Sequence, residues 1–299
     1  MKRREFLAKS SILTFASIVS KFNDSNALAG VRVPGLQLFT LFGQIDKDVK
    51  GTLKKVADLG VKEIESAFSF LPGFYGMSAK EFDETIQSFG MKWVSHHVLG
   101  APLKPSVTKN AGITNFPKIN NLRDNAEEAV ASLAGTSVKY IVCANTPIET
   151  KKEVEESVEV LKKSAVFAKK AGLTLCFHNH DAEFKEVEGA RPFDVFANEL
   201  STDELKFEID LGWAFKAGVD IPGLFKKHAG RFPLCHLKDF SVDFKEMLPL
   251  GTGILNYKQV LAAANEGGLK HFFIEHDFPK DAFMSIETGR SEERRGGKE

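Results

Sequence analysis

The stretch TKKEVEESVEVLKKSAVFAKKAGLTLCFHNH (residues 150–180) holds a helix and then a strand. Residues 150–170 are charged and amphipathic, and Gly172 follows as a C-cap. Leu173, Leu175 and Phe177 then alternate with Thr174 and Cys176, the period of a strand. The strand ends in His178, Asn179, His180, Asp181 and, slightly later, Glu183. One histidine at a strand end is commonly a polar cap. Two imidazoles and two carboxylates at one tip suggest chemistry.

The same alternation continues on both sides. Strand-like runs lie at 33–41, 61–68, 91–98, 138–145, 173–180, 205–210, 231–240 and 270–278. Amphipathic helical runs lie at 48–60, 78–90, 121–137, 150–172, 191–200, 221–230 and 256–268. Strands alternating with helices imply a parallel sheet covered by helices. Eight repeats within roughly 250 residues predict an α/β fold, the (β/α)8 TIM barrel. An open doubly wound sheet would want G-x-G-x-x-G after its first strand, and GLQLFTLFGQIDKD (35–48) does not supply it. No long linker divides the pattern, so residues 30–289 are expected to form one domain.

Hydrophobic residues make up 43% of the 299 and charged residues 27%, enough for a well-packed core. Lys+Arg and Asp+Glu are both 40, so the formal net charge is zero. Without a clustered positive face, nucleic acid is not expected as a partner. Cys143, Cys176 and Cys235 each sit in an apolar run and read as buried free thiols.

The two ends read differently. MKRREFLAKS carries Arg3 and Arg4 before Phe6 and Leu7; a short apolar run follows, then Ala27-Leu28-Ala29. That order predicts a twin-arginine signal peptide over residues 1–29 and a periplasmic mature protein, free of the membrane after cleavage. At the other end GRSEERRGGKE (289–299) is wholly polar and Gly-rich. Residues 290–299 are expected to be a non-native tail that cuts the closing helix short.

A parallel barrel builds its site from the C-terminal ends of its strands. There the chain delivers Glu65; His96 and His97; His178, His180 and Glu183; Asp210 and Trp213; His236, Lys238 and Asp239; and Glu275, His276 and Asp277. Six of the eight histidines fall at these tips, which argues for a metal. Imidazole with carboxylate suits Mn, Zn, Co or Fe, and Mg least.

FHNHDAEF (177–184), EIDLGWAFKAGVD (208–220), HLKDF (236–240) and IEHD (274–277), in this order, resemble the sugar phosphate isomerase/epimerase superfamily. Its barrels are xylose-isomerase-like. It includes ketose 3-epimerases, inosose dehydratase and, more distantly, endonuclease IV. The resemblance covers most of the chain after residue 30. It implies a single divalent metal held from strands five to eight, here by His178, Asp210, His236 and Glu275. The chain departs from the epimerases at strand five, where His178 replaces a glutamate that also moves a proton. His180, two residues on, is the rival ligand, and His180 or Glu183 would supply the missing proton carrier.

The resemblance then implies an isomerase or epimerase acting on a sugar or keto-sugar, with a proton abstracted through a metal-stabilised enediolate. Glu183, Glu275, His180 and Lys238 are the catalytic candidates. Lys238 would neutralise an oxyanion or pair with Asp239. Glu65, His96, Trp213 and Phe39 are the substrate-binding candidates, the two aromatics as a floor for a sugar ring. A lyase or dehydratase on keto-glycosides and a non-catalytic carbohydrate-binding barrel are the alternatives. An oligomer is compatible with all three.

Overall fold

The computed structural model describes residues 34–104, 119–256 and 263–295. The expected signal peptide lies outside them. Eight parallel strands close a barrel: β1 (Gly35–Gln37), β2 (Glu63–Ser66), β3 (Lys92–Val98), β4 (Tyr140–Cys143), β5 (Thr174–His178), β6 (Lys206–Asp210), β7 (Leu234–Leu237) and β10 (His271–Ile274). The seam pairs Gly35 with Phe273 and Leu36 with Ile274. A side chain at Gly35 would meet the Glu63 carbonyl at 2.6 Å and the Phe273 ring at 2.7 Å, so closure there needs a glycine.

The helices around the barrel start where their sequences say they should. α1 (Val49–Asp58) is capped by Asp48, whose carboxylate accepts from Gly51 N. α2 (Ala79–Ser88) and the later helix Lys151–Lys170 both begin with capping boxes, Ser78 with Glu81 and Thr150 with Glu153. The closing helix runs from Ala282 to Arg295. It passes through the boundary drawn at residue 290, and the buried Arg290 donates to Gly60 O at 3.0 Å. Cys143, Cys176 and Cys235 are buried and free.

Two strand expectations change. Among the described residues of the run 33–41 the strand is Gly35–Gln37; a 3₁₀ turn, Leu38–Leu41, follows, started by the Gln37 side chain accepting from Phe39 N. The run 231–240 divides between Leu237 and Asp239. The second piece, β8 (Asp239–Phe240), forms an antiparallel pair with β9 (Met247–Leu248). The cause is local. The Asp239 carboxylate accepts backbone N–H groups from Phe240, Gly251, Gly253 and Leu255, which turns the chain out of the barrel.

The period of two along each strand sorts the side chains. On β5, Leu175 and Phe177 pack outward into the main core; on β6, Phe207 and Ile209 do so; on β7, Cys235 and Leu237. The alternate residues turn into the lumen. There the lowest layer is a small apolar cluster of Val94, Val142, Cys176, Leu234 and Phe273. Above it the lumen becomes ionic, and the next alternate positions, His178, Glu208, Asp210 and His236, are all buried.

Candidate metal centre

Four side chains meet at the C-terminal end of the lumen: His178 from β5, Asp210 from β6, His236 from β7 and Glu275 just after β10. One ligand atom from each lies within 4.8 Å of the others. His178 Nε2 is 3.1 Å from His236 Nδ1 and 3.4 Å from Asp210 Oδ2. His236 Nδ1 is 3.6 Å from Asp210 Oδ2 and 2.6 Å from Glu275 Oε2. Donors around an ion at about 2.0–2.1 Å in a tetrahedron stand roughly 3.3 Å apart, so most of these separations are those of a shared ion.

The chemistry of the donors fits as well. Asp210 Oδ2 and Glu275 Oε2 are buried and face Lys238 Nζ (3.4 and 2.9 Å) and His236 Nδ1 (3.6 and 2.6 Å). Asp210, Glu275 and Asp277 share the one Lys238 ammonium, so a bound cation would balance charge that the ammonium alone leaves uncompensated. Burial opposes ionising Asp210 and Glu275, but the Lys238 ammonium and the imidazoles outweigh it and hold both acids below the usual carboxylate range. Burial pushes His178 down to about 3, which keeps it in the neutral form that ligates. Asp210 has a second duty: its Oδ1 accepts from Trp213 N at 2.9 Å and caps helix Leu211–Lys216. A divalent cation such as Zn or Mn fits this set of two imidazoles and two carboxylates.

Directly below lies a second group, Glu65, His97, Glu208 and His236, all buried. His236 belongs to both, Nδ1 above and Nε2 below. Sequence reasoning left Glu208 out and gave His97 no role. The signal was present: Glu208 precedes Asp210 by two residues and shares its face, and His97 alternates with His96. Glu65, expected to bind substrate, is fully buried. Its Oε1 faces Gln37 Nε2 (2.7 Å), His236 Nε2 (2.6 Å) and His97 Nε2 (3.1 Å), and its Oε2 accepts from Ser95 Oγ (2.5 Å). Both oxygens are thus engaged by protein.

His96 turns to the other side of β3. Trp93 Nε1 donates to Ser66 Oγ at 2.7 Å, and Ser66 Oγ is hydrogen-bonded to His96 Nδ1 at 2.8 Å. His96 and His97 line one end of a cleft of about 330 Å³, whose other walls include Phe68, Phe70 and Phe74.

The remaining candidates surround the quartet. Lys238, 1% exposed, places Nζ 2.7 Å from Asp277, 2.9 Å from Glu275 Oε2 and 3.4 Å from Asp210 Oδ2. The expected pairing with Asp239 is not made, because Asp239 is spent on the backbone of the 251–255 loop. His180 lies outside the quartet, its ring 4.9 Å from that of His178 and 5.9 Å from Trp213. Its backbone N–H donates to Glu183 Oε2 at 2.7 Å, and its Nδ1 stands 3.9 Å from Glu183 Oε1. Burial lowers the His180 pKa, but Glu183 outweighs it and raises it. Trp213 is also 5.6 Å from Lys238 Nζ. Phe39 sits apart, in an aromatic cluster with Phe42 (5.1 Å), Phe278 (5.2 Å) and Phe68 (5.8 Å).

Residues 53–294 match the family described as xylose isomerase-like TIM barrel. A sugar phosphate isomerase/epimerase from Parabacteroides distasonis superposes with a TM-score of 0.70 at 21% identity, covering 90% of this chain and 97% of that one. The IOLI protein with a bound zinc atom superposes at 0.64 and 16% identity, over 87% and 96%. L-ribulose 3-epimerase gives 0.63 and 15%, over 86% and 92%. No curated protein matches the sequence. At these identities the likeness to solved structures speaks for the fold, while the family match extends over most of the chain. The protein belongs to the xylose isomerase-like TIM barrel family.

Proposed function

We propose that the protein is a divalent-metal-dependent isomerase or epimerase of a sugar or keto-sugar, and that His178, Asp210, His236 and Glu275 hold the ion. The observation that carries this is the meeting of four buried donors, two of them carboxylates that share one ammonium with Asp277, beside a partly exposed His180 backed by Glu183. A bound divalent ion polarises a carbonyl and its neighbouring hydroxyl, which makes the intervening C–H acidic. His180 takes or returns that proton, and Glu183 stabilises its charged form; such acid/base help is worth roughly 10²–10⁴ in rate. Lys238 holds Glu275 and Asp210 in place and presents positive charge to a developing oxyanion. Trp213, between His180 and Lys238, offers an apolar face to a sugar ring.

The relatives' names support a carbohydrate substrate: one is a sugar phosphate isomerase/epimerase and another an L-ribulose 3-epimerase. Export through the twin-arginine signal to the periplasm remains part of the proposal and favours an unphosphorylated sugar. A lyase or dehydratase on keto-glycosides is the second reading. It is favoured by one observation: the acid/base candidates outside the quartet, His180 and Glu183, both follow β5, whereas epimerisation exchanges a proton on both faces of a carbon.

Metal analysis of the purified protein, followed by incubation with free ketoses in heavy water, tests the proposal. Bound divalent metal and deuterium incorporation next to the carbonyl support an isomerase or epimerase. Elimination products without epimer point to the lyase. Bound sugar with neither reaction leaves a carbohydrate-binding barrel, and absence of metal refutes the proposed site.

A further inference from the structure

Below the quartet the lumen carries a buried ionic ring that the proposed reaction does not use. Glu65 Oε1 is 2.6 Å from His236 Nε2 and 3.1 Å from His97 Nε2; Glu208 Oε2 is 2.6 Å from His97 Nε2 and 3.3 Å from His236 Nε2. Gln37 from β1 and Ser95 from β3 fix Glu65 as well. A buried ion-pair network is a weak source of stability, since apolar side chains of similar volume often serve as well. Its place directly under one candidate ligand suggests another purpose.

The four ring atoms would also surround a second cation. Distances and protons argue against that. The lower ring has two contacts of 2.6 Å that match charge-assisted hydrogen bonds, against one in the quartet, His236 Nδ1 to Glu275 Oε2, whose other separations are 3.1–3.6 Å. A second ion would also require His236 to give up its proton on both nitrogens.

We propose that Glu65 is a positioning residue for the cation site. By accepting the Nε2–H of His236, it fixes the tautomer whose Nδ1 lone pair faces His178, Asp210 and Glu275. His97, itself held by Glu208, braces Glu65 from the side. The inference rests on the reading of the quartet as a cation site. Metal-bound histidines generally donate their other N–H to a carboxylate, a backbone carbonyl or water, which orients the ring and raises its basicity. His178 provides the internal contrast, because its Nδ1 is buried with no hydrogen-bond partner. One imidazole of the site is therefore anchored from below and the other is not.

The test is Glu65→Gln, which keeps the size of the side chain and removes its charge, with Ser95→Ala as a milder variant that loosens Glu65. Zinc affinity is measured by chelator competition, and the His236 Nε2–H is followed by proton–nitrogen NMR. The expected result is about 10- to 100-fold weaker zinc binding in Glu65→Gln with one ion per chain retained. A smaller loss is expected in Ser95→Ala. The Nε2–H signal, downfield in the wild type, should move upfield in Glu65→Gln with or without zinc. Unchanged affinity in a folded Glu65→Gln overturns the inference, as do two ions per chain of which Glu65→Gln loses one. If the wild type takes up no zinc, the cation reading fails. The metal-free spectra then decide separately whether Glu65 holds His236, and an unmoved Nε2–H says that it does not.

Discussion

His178 Nε2 and His236 Nδ1 face each other 3.1 Å apart across the lumen, from strands β5 and β7. Two imidazole nitrogens at that distance share one proton, or a cation takes the place of the proton. The second arrangement also satisfies Asp210 and Glu275. Replacing His178 with alanine is therefore expected to weaken zinc or cobalt binding at least about tenfold, by analogy with the losses seen when metal-site groups are removed. Chelator competition and the visible spectrum of the cobalt-loaded protein would register it. His180→Ala should leave the affinity nearly unchanged and depress turnover.

Asp210 separates metal binding from folding. Its Oδ2 faces the site and its Oδ1 caps a helix. Asp210→Asn keeps a capping oxygen and should unfold close to the wild-type midpoint without metal, yet bind metal poorly. Asp210→Ala loses both roles and should cost a further ~1 kcal/mol in denaturant titrations. Equal stability of the two variants would contradict the capping role.

Lys238 balances Asp210, Glu275 and Asp277 inside the barrel. Lys238→Met leaves three carboxylates short of one positive charge. A loss of about 3–5 kcal/mol is expected in the metal-free protein, the usual cost of stranding a buried charge. Saturating zinc should recover part of it, because the ion restores positive charge to two of the three. Thermal unfolding with and without zinc would reveal this recovery.

His96 gives a pH dependence with a definite sign. Burial, aided by the charge of His97, pushes its pKa down to about 3, against an ordinary value near 6.5. Between those limits the unfolded chain binds a proton that the folded chain does not. The contribution of His96 is intact above about pH 6.5 and is lost as the pH falls toward 3, by at most about 1.4 kcal/mol per pH unit. His96→Gln should flatten the acid side of the stability profile. If denaturant midpoints of the two proteins run parallel from pH 7 to 4.5, His96 is not held neutral.

Trp213 borders His180 and Lys238 but contributes no atom to the quartet. Trp213→Ala is expected to raise KM for a sugar substrate several-fold while metal content stays at the wild-type level, since losing an aromatic contact removes about 0.5–1.5 kcal/mol. Parallel loss of metal would show that the indole supports the site rather than the substrate.

The sequence by itself determined the barrel and set His178, Asp210 and His236 at strand ends, while their reading as one ligand set came from the family resemblance. Helix caps, the period of two in the strands and eight repeats are local features, and local features are written along the chain. They put His178, Asp210 and His236 on inward faces, because Leu175, Phe177, Phe207, Ile209, Cys235 and Leu237 claim the outward ones. The tertiary structure decided everything that depends on depth and on partners distant in sequence. Glu65 and His236 are 171 residues apart, and only strand tilt and stagger set one against the other. Nothing in a linear pattern distinguishes Glu65, sunk below the rim and fully engaged, from a tip residue open to substrate. Glu208 lies one pleat below Asp210, so its contact with His97 appears only when the barrel closes. The departure of β8 from the barrel was hidden in the same way, because the four amides that turn Asp239 away arrive largely from a loop twelve to sixteen residues later.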